Sequence, residues 1–197
     1  MNNNKTTRKC DYKINSIFPN RWSSRSFSGT QLKKEHLMPL FEAARWAPSS
    51  FNAQPWRFIY ALKGTPAFDE LCNSLIPFNR DWAQHAGALV MIISRKKYTY
   101  NEKPNEAHVF DAGAAWQNFA LQACDQGLHC HAMEGFDETC ACSATSTPEG
   151  YKALCIIAVG YPGDGAYLDD ELKSLEKPSQ RIPVSEFVFE NSFTSKP

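Results

Sequence analysis

One long segment, residues 110–126, constrains the fold of this 197-residue chain more than any other feature. Its apolar side chains fall on nearly every side of a helix rather than along one stripe. Gly127 follows the segment at the position where a helix C-cap favours glycine. Because a helix that is apolar all round must be covered by other layers of structure, we predict a central, buried helix here.

Shorter segments on both sides of this helix show the patterns of strands and of further helices. Residues 33–47 place their apolar side chains on one helical face and Pro48 ends the pattern, and residues 67–75 also read as a helix. Three short segments are rich in β-formers or apolar on both faces, as strands are. The predicted strands are residues 56–62, 88–94 and 153–160. Helices intermixed with strands predict an α+β fold in which helices pack on a sheet.

Composition excludes several classes of protein. Lys+Arg and Asp+Glu both number 21, so the chain has no net charge with which to attract nucleic acid. The longest apolar run has eight residues, 86–93, whereas a membrane-spanning helix needs about 20. The polar, basic N-terminus has no signal-peptide pattern, so we expect a cytoplasmic protein with a flexible tail over residues 1–14. Seven cysteines, an odd number, are then expected to be reduced thiols.

Two polar loops are the candidates for a binding site. Residues 21–27 (RWSSRSF) combine two arginines with three serines, and arginine's planar fork suits a phosphate. Residues 48–56 (PSSFNAQPW) offer amide groups that could match a ligand edge of alternating donors and acceptors. A solvated loop and a helix-stop loop are the ordinary alternatives. The chain has no glycine-rich nucleotide motif, no H-E-x-x-H and no G-x-S-x-G.

The second loop lies within a longer familiar pattern. Residues 43–61 (AARWAPSSFNAQPWRFIYA) resemble the signature of the FMN-dependent nitroreductase family, and residues 21–27 resemble its flavin-binding entry motif. Further matches follow in the family's order at residues 78–79, 111–113, 131–137 and 179–183. The resemblance extends over residues 17–189, nearly the whole chain.

The resemblance implies a fold, a cofactor and an activity. The implied fold is α+β, with a mixed, mostly antiparallel sheet flanked by helices, in an intertwined homodimer. Residues 15–197 would form one FMN-binding domain whose C-terminal segment packs on the partner subunit. The implied activity is ping-pong hydride transfer from NAD(P)H, through flavin N5, to an electron-poor acceptor such as a nitroaromatic or a quinone. The flavin carries this chemistry, so no catalytic side chain and no metal are expected.

The resemblance also implies which residues hold FMN between the two subunits. Arg21, Ser23 and Arg181 would bind the phosphate, and Asn79 would bind the pyrimidine edge of the flavin. Arg25 near that edge would raise the reduction potential, because reduction places negative charge there. Four residues would approach from the partner subunit: Pro48, Ser49, Ser50 and Asn52. The remaining implied FMN-binding residues are Trp22, Met133, Glu134, Gly135 and Ser179.

Two positions depart from the family pattern. Trp82 and Ser179 stand where several family members have lysine, so the implied site loses positive charge. The family's substrate-covering insertion is reduced here to residues 96–108. Tyr98 and Tyr100 in that stretch could wall the substrate pocket together with Phe51, or could belong to a solvated surface loop.

Other functions fit parts of the sequence. Histidines and cysteines crowd residues 124–142, although their C-x-C and H-C-H spacings are not those of structural zinc sites. A flavin-binding carrier with little turnover is a second possibility, and a specialised flavin dehydrogenase or dehalogenase on the same fold is a third.

Overall fold

A four-stranded sheet forms the centre of the computed structural model, which describes residues 8–194. The strands are β1 (Trp56–Leu62), β2 (Ala88–Arg95), β3 (His129–Met133) and β4 (Tyr151–Gly160). They lie in the order β1-β2-β4-β3, and all three pairings are antiparallel. The α+β class is confirmed, and the parallel pairing of a mixed sheet has no counterpart among these four strands.

Seven helices and two 3₁₀ turns surround this sheet in the described residues. The helices are α1 (Ile17–Asn20), α2 (Lys34–Arg45), α3 (Pro66–Asn73), α4 (Pro77–Ala83), α5 (His108–Asp125), α6 (Glu138–Ala144) and α7 (Asp170–Leu175). The 3₁₀ turns are Ser50–Asn52 and Val184–Glu186. No helix in this part of the chain has the length and apolarity needed to cross a membrane.

The sheet separates two apolar cores, because alternate side chains of each strand point to opposite faces. Met91 and Ile156 belong to the core on the face covered by α3, α4, α6 and α7. Val90 and Ile157, their neighbours in sequence, belong to the core on the face covered by α2 and α5. The central strands β2 and β4 are therefore apolar on both faces, as predicted.

The prediction of a helix buried on all sides is only partly correct. Helix α5 buries one face, which includes Ala115 and Phe119, against the sheet and α2. Two residues of its first turn are exposed, Val109 and Phe110, the latter to 83%, whereas Asp111 of the same turn is buried. Gly127 follows the helix with a φ of +72°, which confirms the predicted C-cap conformation.

The beginning of the chain contacts its end. The backbone N–H of Lys9 donates to Gln180 Oε1 at 3.1 Å, and that of Val184 donates to Asp11 Oδ2 at 2.7 Å. Lys9 and Asp11 belong to the second half of the tail expected over residues 1–14, and these hydrogen bonds join that half to the C-terminal part of the chain. Its first seven residues, and residues 195–197 of the expected domain, lie outside the described residues.

Candidate active site

A cleft of about 360 Å³ lies between residues 21–25, β3 and the segment that follows α7. It is lined by Arg8, Arg21, Trp22, Ser23, Arg25, His131, Leu175, Lys177, Ser179 and Arg181. Five of these residues are cations and none is acidic. A chain with no net charge therefore concentrates positive charge in one cleft.

Glu176 holds the arginine-bearing loop in place. Its carboxylate accepts hydrogen bonds from the backbone N–H groups of Arg25, at 2.8 Å, and Ser26, at 2.9 Å. The same carboxylate accepts from the Ser24 hydroxyl. Such charge-assisted bonds are stronger than neutral ones, so Glu176 ties the loop to the end of α7.

Tyr167 and Gly163 fix the loop from the other side. The Tyr167 hydroxyl donates to the carbonyl oxygen of Arg25 at 2.8 Å and accepts from the N–H of Phe27 at 2.6 Å. A Cβ atom at Gly163 would lie 2.3 Å from the Phe27 carbonyl oxygen, so only glycine permits this approach of the two backbones. Arg25 thus projects from a backbone whose polar groups are already bonded.

The Arg25 guanidinium lies over the Trp82 ring, 5.9 Å from its centroid. Trp82 is buried and also packs against the His131 ring, with 4.7 Å between centroids. Burial, and secondarily the nearby Arg25 charge, lower the pKa of His131 to about 4. Trp82 therefore supports Arg25 with an aromatic face, next to a neutral histidine.

Asn79 and Gly135 form a second group, between α4 and the end of β3. The Asn79 side-chain amide donates to the Gly135 carbonyl oxygen at 3.1 Å. A Cβ at Gly135 would lie 2.8 Å from Asn79 Nδ2, so any other residue there would displace the Asn79 side chain. Met133 is buried at the end of β3, and Glu134 is exposed beside it. The structure thus brings together four of the implied FMN-binding residues.

Ser179 lies beside Arg181, as expected. The Arg181 guanidinium donates from Nη1 to Ser179 Oγ at 2.9 Å. Both side chains line the cleft that Arg21 also lines. Residues 21 and 181, which are far apart in sequence, therefore converge.

The cleft is not lined by Asn79, Met133, Glu134 or Gly135, nor by the remaining implied site residues, Pro48, Ser49, Ser50 and Asn52. Their loop precedes β1 at one edge of the sheet, whereas His131 of the cleft belongs to β3 at the other edge. Ser50 is fixed by its N–H, which donates to Asp111 Oδ2 at 3.1 Å. In a single chain the loop and the cleft therefore lie at opposite edges of the sheet.

An aromatic cluster flanks that loop. Phe51 contacts the rings of Tyr98 and Tyr100, with centroids 5.9 and 6.3 Å apart, and is 80% exposed. Phe51 and Asn52 have φ values of 51° and 53°, in the left-handed region that residues other than glycine seldom adopt. The two tyrosines thus contact Phe51 in an aromatic cluster whose Phe51 and Tyr100 side chains are exposed to solvent.

Sequence reasoning missed four residues that shape the cleft: Arg8, Tyr167, Glu176 and Lys177. Arg8 lies in a polar stretch with no periodic pattern, and Lys177 lies between a glutamate and a proline in an ordinary surface sequence. Lys177 was detectable only through its position two residues before Ser179. Nothing local to Tyr167 or Glu176 signals that their partners lie about 140 to 150 residues earlier.

Neither the cysteines nor the histidines form a metal site in residues 8–194. No group of three or more His, Cys, Asp or Glu side chains there could hold an ion. Cys124, His129 and Cys130 line a small cavity of about 90 Å³. Burial raises the pKa of the Cys130 thiol to about 12, so this residue is a protonated thiol at neutral pH.

The cleft is suited to an anion with a phosphate group. Arg21 Nε and Arg25 Nε are buried without a hydrogen-bond partner in the described chain. Buried donors are costly when unpaired, and phosphate oxygens are the acceptors that the arginine fork fits. The residues present therefore fit a phosphorylated ligand.

Comparison with solved structures identifies proteins that share this fold. A crystal structure described as an oxidoreductase containing FMN is 39% identical to this chain and superposes with a TM-score of 0.92, over 98% of this chain and 99% of that one. A nitroreductase family protein from Streptococcus pneumoniae TIGR4 is 18% identical, with a TM-score of 0.73 over 89% of this chain and 98% of that one. The second likeness shows the fold alone.

Sequence comparison agrees. The oxygen-insensitive NADPH nitroreductase of Helicobacter acinonychis (strain Sheeba) is 37% identical over 65 residues, which are 32% of this chain and 29% of that protein. The family model described as the Nitroreductase family matches residues 19–76 and 61–161, well over half of the chain. This chain, with its α+β sheet and its cationic cleft, belongs to the Nitroreductase family.

Proposed function

We propose that this protein is an FMN-dependent oxidoreductase of the nitroreductase type, which uses NAD(P)H to reduce electron-poor acceptors such as nitroaromatics or quinones. The observation that carries the proposal is the cationic cleft, with its unpaired Arg21 and Arg25 donors. Membership of the family and the strong likeness to an FMN-containing oxidoreductase support the choice of cofactor.

The phosphate of FMN would lie among the cations at one end of the cleft. Arg21, Ser23 and Arg181 would donate hydrogen bonds to it, and Ser179 would orient Arg181 through the contact already present. Guanidinium groups bind phosphate oxygens in a bidentate way, which fixes the cofactor's position as well as its charge.

The flavin ring would extend towards Trp22, Arg25 and the Asn79–Gly135 group. When bound, FMN supplies the hydride chemistry between NAD(P)H and the acceptor. Arg25, held over Trp82, would stabilise the negative charge of the reduced ring without having to move. The backbone near Met133 and Glu134 would face the same ring, and no side chain needs to act as an acid or a base.

The site would be completed by a second copy of the chain. Pro48, Ser49, Ser50 and Asn52 lie at the opposite edge of the sheet from the cleft, so within a homodimer they would meet the partner's FMN rather than their own. A cytoplasmic location, and the absence of nucleic-acid and membrane partners, stay predictions from composition.

The test is the flavin content and turnover of the full-length protein. We expect a yellow protein that releases FMN on denaturation, identified by HPLC, and that oxidises NADH or NADPH only when a quinone or nitroaromatic is present. A protein that binds no added FMN would contradict the proposal. FMN binding without turnover would instead support the flavin-carrier alternative.

A further inference from the structure

Two cations of the cleft, Arg8 and Lys177, lie outside every motif that marks the family in this sequence. Arg8 is held firmly: its Nη1 donates to the carbonyl oxygens of Pro19, at 3.1 Å, and Arg21, at 2.7 Å. These carbonyls lie at the C-terminal end of α1. The guanidinium of Arg8 is thus fixed beside Arg21 rather than extended into solvent.

The cations crowd one another. Arg8, Arg21 and Arg181 line the same cleft. Burial, and then the charges of Arg181 and Arg21, lower the pKa of Arg8. No acidic side chain lines the cleft. The Glu176 carboxylate, adjacent in sequence to Lys177, accepts hydrogen bonds from the backbone N–H groups of residues 25 and 26. Like charges held together repel, and an anion between them removes that cost.

From this arrangement we infer that Arg8 and Lys177 bind the same phosphate group as Arg21 and Arg181. They add two positive charges to the end of the cleft where the uncharged Ser179 lies beside Arg181. This inference rests on the proposed function, because the phosphate is that of FMN. It adds two binding residues and makes the segment from residue 8 onwards part of the cofactor site.

The N-terminal segment is anchored in a way that serves this role. Lys9 bonds to Gln180, the neighbour of Arg181, and Asp11 bonds to Val184. Both contacts join the N-terminal segment to the C-terminal stretch that carries Arg181. Binding a dianionic phosphate across Arg8 and Arg181 therefore holds the two ends of the chain together.

The experiment compares FMN with riboflavin, which lacks the phosphate, on the full-length protein freed of flavin. Lys177→Ala shortens an exposed side chain and leaves the core unchanged, so we expect this variant to fold as the wild type does. Arg8→Ala removes charge and hydrogen bonds together, and Arg8→Lys removes the fork but keeps the charge. Lys13→Ala, an exposed lysine of the same segment that does not line the cleft, is the control.

We expect Lys177→Ala and Arg8→Ala each to raise the Kd of FMN about tenfold, the loss of one charge-assisted contact, and to leave the Kd of riboflavin unchanged. Arg8→Lys should fall between Arg8→Ala and the wild type. Inorganic phosphate should compete with FMN less well in both alanine variants than in the wild type. Lys13→Ala should match the wild type.

The inference is overturned if Lys177→Ala and Arg8→Ala both bind FMN with the same Kd as Lys13→Ala. Equal weakening of FMN and riboflavin would also overturn it, because the loss would then not concern the phosphate. A wild-type protein that binds inorganic phosphate in the cleft but not FMN would contradict the proposed function and leave the cation site standing.

Discussion

At the scale of single residues, His131 links the stability of the protein to pH. It lies between the Trp82 ring and the Ser24 carbonyl oxygen, and burial lowers its pKa from 6.5 to about 4. As the pH falls from about 6.5 towards 4, His131 binds a proton in the unfolded chain but stays neutral in the folded chain. The stability contributed by neutral His131 is therefore present above pH 6.5 and lost as the pH falls through that window.

We expect His131→Asn to reduce the loss of unfolding free energy between pH 7 and pH 5 by about 1–2 kcal/mol. Urea unfolding at the two pH values measures this difference. His85, His108 and His129 also have lowered pKa values, so the variant should keep part of the pH dependence. If His131→Asn loses as much unfolding free energy between pH 7 and pH 5 as the wild type, His131 does not titrate in this way.

At the scale of elements, the site depends on a junction between the loop of residues 23–27 and the end of α7. Glu176 makes this junction through the backbone N–H groups of Arg25 and Ser26. We expect Glu176→Gln to lower the free energy of unfolding by about 1–3 kcal/mol. The neutral amide oxygen accepts these bonds less strongly than the carboxylate, and the amide NH₂ group is itself a donor placed against the N–H and O–H donors of the loop.

Urea unfolding of Glu176→Gln alongside Glu171→Gln is the measurement. Glu171 is exposed in the first turn of α7, at the opposite end of the helix from its C-cap Glu176, so its variant carries the same change of charge away from the junction. Equal stability of the two variants would mean that the junction contributes nothing to the fold.

At the scale of the whole molecule, the chain leaves apolar surface around the start of α5 uncovered. Phe51, Val109 and Phe110 are exposed there, and Ser50 ties the loop of Phe51 to α5 through Asp111. An exposed apolar patch is typical of a surface that binds another protein. Because this patch adjoins the loop expected to serve another subunit's site, we predict a homodimer.

We expect Phe110→Glu to convert a dimer into a monomer of one chain's 22.2 kDa and to weaken FMN binding, because a charge in an apolar interface is costly. Light scattering after size-exclusion chromatography measures the mass. Phe110→Leu keeps the apolar character and should stay dimeric. A wild-type protein that is monomeric while binding FMN tightly would refute the dimer.

Much of the fold follows from local patterns. The strands β1, β2 and β4 and the helices α2, α3 and α5 lie where periodicity predicts them, within two residues at most of their ends. Strand β3 escaped prediction because it is short, lies at the edge of the sheet and carries two partly exposed histidines. Helices α4 and α6 each have only seven residues, too few for a helical stripe to show.

The sequence by itself determined six of the helices and strands, the family resemblance and the identity of the motif arginines, because periodicity and spacing are local properties of the chain. Only the tertiary structure decided that Arg8 and Lys177 join Arg21, Arg25 and Arg181 in one cleft. It also decided that the loop of Ser49 and Ser50 lies at the far edge of the sheet. Convergence and separation of distant segments depend on how the layers pack, and no short stretch of sequence encodes that packing.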